Sequence, residues 1–224
     1  MDVFMDLTGT ITSMESEEYA FLKMCEGIKK RFNIKLEPNE LMLHILDYRR
    51  PYMEKRHIEY YPIRNLIVKA VEEVAPKPLC STDIFWIMDA YAYYHAKYVR
   101  LAPGAKEALI RIRNIAGYMG LITDADTPYT EKVLSGLKIK DFFDVVVTAE
   151  DAGVGKPNPK IFHMALQGSK SEKKIYIGDS EKRDIDGAKK VGMIAIKIGK
   201  ESKLADYVVE NLLEASKVVE ELIL

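Results

Sequence analysis

The chain holds only two cysteines, Cys25 and Cys80, in 224 residues. They stand far apart and in no metal-type spacing. A disulfide scaffold and a thiolate metal cluster are thereby excluded, and both are expected as reduced thiols used for packing. An excess of one charge is missing too: 33 basic residues face 34 acidic ones, for a net charge of −1. That balance offers no field for a nucleic acid and none for a membrane surface. No apolar run reaches the roughly 18 residues that a membrane span requires. A strand is expected from residue 2 or 3, which leaves no room for a signal peptide, so the chain is expected in the cytoplasm. There is one glutamine, Gln167, beside abundant Lys and Glu, a composition that leans towards a thermophilic source. Internal repeats and low-complexity tracts are absent. What remains is an ordinary globular composition, 48% apolar and 30% charged, long enough for one large domain or one domain with an insertion.

Short apolar runs stand at DVFMD, YMGLIT, DVVVTA, KIYIGD, MIAIKI and DYVVE. Helical patterns lie between them: AKEALIRIRNIA, YTEKVLSGLK, PKIFHMALQ, DIDGAKKVG and the tail LLEASKVVEELIL. Strands alternating with helices predict an α/β, doubly wound parallel sheet covered on both faces. Residues 14–99 break that rhythm. Helices are predicted there over roughly 16–33, 38–57, 62–75 and 82–99. A proline-rich break, APKPLCSTD, precedes the last, with Ser81 or Thr82 expected as its cap. Nine of the 13 tyrosines fall in this stretch. The expected organisation is an α/β core built from residues 1–13 and 100–224, with an all-helical domain over 14–99 inserted after the first strand.

Ligands of doubly wound sheets sit outside the carboxyl ends of the strands. The first strand here ends in Asp6, followed by Leu7, Thr8, Gly9 and Thr10. The second ends in Thr123 and Asp124. The loop after the third carries Lys156 between a glycine and a proline, and the fourth ends GDSEKRD, with Asp179 and Asp184. Singly, each has a plainer reading as a turn or a helix cap. In succession they gather carboxylates, a hydroxyl and a lysine around one crevice. Clustered carboxylates suit Mg²⁺. A carboxylate can also act as a nucleophile towards phosphorus, while a lysine and hydroxyls hold the phosphoryl oxygens.

With these four motifs the sequence resembles the haloacid dehalogenase (HAD) superfamily of hydrolases. The resemblance covers nearly the whole chain outside the helical insertion, and it implies a Rossmann-like core with a helical cap that closes over the site. It implies Asp6 as the nucleophile. Mg²⁺ would be held by Asp6, Asp179 and the backbone carbonyl of Thr8, with Asp184 supporting the metal or orienting Lys156. Thr123 and Lys156 would hold the phosphoryl group of a small phosphorylated substrate, with Asp124 beside them. A monomer or a homodimer is expected.

Two positions depart from the family pattern. Family phosphatases have a second acid where this chain has Thr8. A threonine hydroxyl cannot protonate a leaving group near neutral pH, and general acid–base help is worth roughly 10²- to 10⁴-fold. The P-type ATPases of the superfamily also have a threonine there and form a long-lived aspartyl-phosphate. The second departure is Asp124, where the family usually has Asn. It is a candidate for the missing acid, although a strand-end Asp more often caps the next segment. A Mg²⁺-dependent phosphatase, slow because of Thr8, is the leading expectation. A 2-haloacid dehalogenase, a phosphoryl-accepting protein with little turnover and a phosphonate-cleaving enzyme stand beside it. In the insertion, Arg49, Arg50, Lys55, Arg56 and Arg64 read either as a basic lid over an anionic substrate or as a solvated helix face. The aromatic run IFWIMDAYAYYHAKY reads either as the lining of an aromatic pocket or as core packing, and its helical spacing favours the core; the four histidines read as structural or exposed.

Overall fold

The computed structural model describes residues 1–223. Six strands, β1 (Asp2–Met5), β2 (Tyr118–Thr123), β3 (Val145–Thr148), β4 (Lys174–Gly178), β5 (Ile194–Ile198) and β6 (Tyr207–Val209), make one sheet in the order β3-β2-β1-β4-β5-β6. All neighbours run parallel. Each strand falls on one of the six apolar runs. The runs are continuous because both faces are covered. Val3, Met5, Ile175 and Ile177 point into one core, and Phe4, Ile122 and Tyr176 into the other. Burying each such side chain contributes about 1.5–3 kcal/mol, and a one-residue slip would exchange the two sets.

Ten helices connect the strands among the described residues: α1 (Met14–Phe32), α2 (Pro38–Glu54), α3 (Ile63–Val74), α4 (Ser81–Tyr98), α5 (Ala105–Ile115), α6 (Thr127–Leu137), α7 (Ala149–Ala152), α8 (Pro159–Leu166), α9 (Asp186–Lys190) and α10 (Leu212–Ile223). Leu224, the last residue of the predicted tail helix, lies outside the described residues. The first four helices follow β1 without an intervening strand. α1 shows why they form. Ser13 accepts from the Ser16 amide at its start, Glu15 and Glu17 lie in the first turn, and Lys29, Lys30 and Arg31 in the last. Asn33 then stops it in a left-handed conformation, with φ 53°. The cap of α4 is Cys80 rather than Ser81 or Thr82. The Cys80 thiol and amide both meet the Asp83 carboxylate, at 3.0 and 3.3 Å, so Ser81 and Thr82 already lie inside the helix.

Strand order reverses at β1. β2 and β3 lie to one side of it, β4 to β6 to the other, and the crevice opens at the carboxyl ends of β1 and β4. The helical run leaves and rejoins the sheet at one place. Thr12 pairs with Leu101, and the Ser13 amide donates to the Arg100 carbonyl at 3.0 Å.

Candidate active site

The Asp6 amide still donates to Ile177 of β4, at 3.0 Å, so the ladder itself fixes the base of this side chain. Gly9 follows at φ +82°, and a Cβ on it would stand 2.6 Å from Asp179 Oδ2. Only glycine brings the turn after β1 this close to the end of β4.

Lys156 is the hub. Its ammonium donates to Asp6 Oδ1 at 2.7 Å and to Asp184 Oδ1 at 2.6 Å. It also meets the Tyr176 hydroxyl and the Ile122 carbonyl, both at 3.1 Å. Asp184 further accepts from the Tyr176 hydroxyl at 3.0 Å and from the Ser180 amide at 2.9 Å. All of these groups are buried except the half-exposed Ser180. Asp179 follows β4, and its Oδ1 is buried with no hydrogen-bond partner among the described residues. Carboxylate oxygens of Asp6, Asp179 and Asp184 lie within 4.8 Å of one another.

Their charges are balanced unequally. Burial pushes Asp6 up to about 7, against the pull of Lys156 and with the push of Asp184. Burial, and then Asp184, raises Asp179 as well. Asp184 is buried too, yet Lys156 and the hydrogen bonds around it hold its carboxyl below the ordinary range. The cluster is one cation short, and the orphaned oxygen of Asp179 points to the same deficit. Three hard oxygen donors with excess negative charge fit a divalent cation.

Thr123 ends β2. With Asp6, Thr8 and Asp124 it lines a cavity of about 520 Å³ between the strand ends and the helical insertion. Asp124 is tied down: Oδ1 accepts from the Lys156 amide at 2.7 Å, and Oδ2 meets Arg56 at 3.4 Å and Arg183 at 3.3 Å. It caps nothing; Asp126 is the cap residue of α6.

The structure thus brings all seven expected residues together: Asp6, Thr8, Thr123 and Asp124 on the cavity wall, and Lys156, Asp179 and Asp184 grouped with Asp6. It adds three that went unnoticed. Tyr176 braces Lys156 and Asp184, and its only signal was a hydroxyl in an otherwise aliphatic strand. Arg183 was one cation within GDSEKRD. Glu17 lines the cavity, accepting from Thr12 and Tyr129 at 2.7 Å each. Burial raises its carboxyl above the ordinary range, while hydrogen bonds from Thr12, Tyr129 and Thr8 pull it back. His95 and Tyr91, from the aromatic run whose spacing favours core packing over a pocket, also face the cavity.

The family model of the haloacid dehalogenase-like hydrolases matches residues 40–198. The chain belongs to that family. It is therefore a HAD hydrolase, and it is similar to two archaeal proteins. A glyceraldehyde 3-phosphate phosphatase of Methanocaldococcus jannaschii is 33% identical over 98% of this chain and 97% of its own length. One from Pyrococcus furiosus is 41% identical, but the match spans only 58% of this chain and 59% of that protein. Among solved structures, a HAD phosphatase from Thermococcus onnurineus superposes with a TM-score of 0.72, at 23% identity and 97% coverage of both chains. It shares this fold over nearly the whole of both chains.

Proposed function

We propose that this HAD hydrolase is a Mg²⁺-dependent phosphatase of small phosphate esters. The observation that carries the reading is the hub of Lys156 between Asp6 and Asp184, with Asp179 unpartnered beside it. A carbon–halogen hydrolase needs a nucleophile and a cation for it. It has no use for two further carboxylates, of which Asp184 takes part of the lysine's charge and Asp179 has no partner among the described residues. The name of the full-length archaeal relative, glyceraldehyde 3-phosphate phosphatase, supports the same reading.

Asp6 is the nucleophile. Lys156 holds its Oδ1, and its Oδ2 accepts no hydrogen bond among the described residues. That oxygen attacks phosphorus, an Oδ2–P bond forms, and the bond from phosphorus to the ester oxygen breaks. Thr123 and Lys156 hold phosphoryl oxygens. Asp6, Asp179 and the Thr8 carbonyl would hold Mg²⁺, supported by Asp184, and the bound ion would neutralise charge on the phosphoryl group. Water then attacks the aspartyl-phosphate, releasing phosphate and restoring Asp6. Thr8 supplies no proton in either step, and Asp124, bound at both oxygens, is not free to replace it. Formation therefore favours esters with good leaving groups, and hydrolysis of the intermediate is slow.

The helical residues 14–99 serve as a cap domain on the core of residues 1–13 and 100–224. Its two chain crossings lie side by side at Ser13 and Arg100, the geometry of a single hinge. The test is turnover of a panel of phosphate esters and 2-haloacids with Mg²⁺ and with chelator. Phosphate release that stops with chelator is expected. Haloacid consumption that survives chelation would assign the chain to dehalogenation instead.

A further inference from the structure

Five basic side chains were candidates for a lid over an anionic substrate, and the structure sorts them. Arg50 pairs with Asp47. Arg64 grips Glu150 through two bonds, at 2.8 and 2.6 Å, and also meets Asp126. Arg56 is taken by Asp124 and by the Met53 carbonyl. Lys55 is exposed, away from the cavity lining. Arg49 is different. It lines the cavity, is half-buried, and makes no ion pair or hydrogen bond among the described residues.

Its place on α2 is specific. Met42, Leu46, Arg49 and Met53 recur at steps of four, three and four, and all four line the cavity. Arg49 is thus the one cation in an otherwise apolar stripe. Its guanidinium lies over the Phe21 ring, 5.3 Å from the centroid. The stack orients the planar group but satisfies none of its five N–H donors.

The other charges of the cavity do not compete for it. Arg56 and Arg183 share Asp124. Glu17 is held by two hydroxyls. Glu18, at the same cavity, is exposed and makes no ion pair with Arg49. His95 bonds the Tyr91 carbonyl through Nδ1 at 2.7 Å, so that nitrogen carries the proton. Burial holds its pKa down at about 4, which leaves a neutral ring that adds no positive charge.

We propose that Arg49 sets substrate class: it receives a second anionic group, a carboxylate or a further phosphate, on an ester whose phosphoryl group faces Asp6. The apolar residues of α2 would pack the short carbon chain between the two charges. This deepens the phosphatase reading and rests on it.

Glyceraldehyde 3-phosphate and 3-phosphoglycerate make a matched pair of probes, differing by an aldehyde in place of a carboxylate. Propane-1,3-diol bisphosphate supplies the phosphate arm. The wild type should favour one or both of the dianionic-ended esters in kcat/KM, and which one identifies the group that Arg49 binds. Arg49→Met should raise KM for the favoured ester roughly 10- to 100-fold, the scale of a lost charge-assisted, bidentate contact. It should leave kcat and the aldehyde kinetics within about 2-fold, and Arg49→Lys should recover part of the loss. Arg49→Gln serves if the Met variant is not folded by its thermal transition. A wild type that prefers the aldehyde, or a variant that weakens both esters alike, overturns the proposal while leaving the phosphatase reading intact. If no ester is hydrolysed, that reading fails. Calorimetric binding of the same two esters to wild type and Arg49→Met then decides, with selective loss of the acid in support and equal affinities against.

Discussion

Lys156 has no exposed side-chain surface and holds two carboxylates. Replacing it with Met leaves Asp6 and Asp184 buried face to face without a cation. Breaking such a pair costs about 3–5 kcal/mol. Urea denaturation at neutral pH should show a loss of that size for Lys156→Met, and activity should vanish with it. An unchanged midpoint would mean that Lys156 does not hold the carboxylates together in solution. Thr8 carries the second prediction at this scale. Thr8→Asp should speed steady-state hydrolysis at least about 10-fold, most for alkyl phosphates, by supplying the missing general acid and base. The pre-steady-state burst should shrink in parallel. If turnover and burst both stay as they were, protonation does not limit the reaction. The strand-end acids were legible as single residues because nucleophile and metal chemistry needs particular side chains at strand ends. What Asp124 does was not legible. Its partners, Arg56 and Arg183, lie 68 and 59 positions away along the chain, and no local pattern records such a contact.

The segment between α2 and α3 joins the helical run to the core loops. Tyr60 donates its amide to Gly153 at 3.0 Å and Arg56 accepts from Gly155 at 2.7 Å, on either side of the turn that leads to Lys156. Asp126 reaches across. Its fully buried carboxylate accepts from the Tyr60 hydroxyl at 2.5 Å and from the Ile63 and Arg64 amides at 2.7 and 2.9 Å. A residue that caps α6 through its backbone therefore caps α3 with its side chain. Asp126→Ala leaves those donors unpaired and should cost about 2–4 kcal/mol, read by chemical denaturation. A loss below about 0.5 kcal/mol, within the range of an ordinary surface substitution, would contradict the cross-cap. If the helical run moves as a cap, this strap and the crossings at Ser13 and Arg100 must respond to ligand. Hydrogen exchange at both places should slow when Mg²⁺ and a metal fluoride are added. Equal exchange with and without them would argue for a fixed cap. Helix positions were readable from periodicity and caps, but this docking was not, because it joins elements distant in sequence.

Across the whole molecule, stability should depend on pH through His95. The folded ring titrates near 4 and the unfolded one near 6.5. Below 6.5 the unfolded chain binds a proton that the folded ring refuses, so stability falls as pH drops towards 4. The full contribution is about 3 kcal/mol. Asp6, raised by burial, works in the opposite direction over an overlapping range, so the difference between wild type and His95→Gln isolates the ring. That difference should shrink by about 3 kcal/mol between pH 7 and pH 4. A constant difference would mean that the ring is not held neutral. The sheet was the most legible feature of the molecule, since burial on both faces writes each parallel strand as a continuous apolar run such as KIYIG. The cavity was the least legible. Arg49, Tyr91 and His95 sit at ordinary helical spacings, and only the packing of the insertion over the strand ends separates them from core and surface neighbours. Among the described residues no helix is long and apolar enough to cross a membrane.

The proposed mechanism turns on a covalent phosphoryl group on Asp6. Acid quenching of the enzyme during turnover of a phosphate ester with Mg²⁺, followed by peptide mass spectrometry, tests it directly. The expected result is a phosphoryl adduct on the N-terminal peptide at Asp6, labile to hydroxylamine and absent in Asp6→Asn. Ester hydrolysis with no adduct on Asp6, or undiminished turnover by the Asp6→Asn protein, would contradict it.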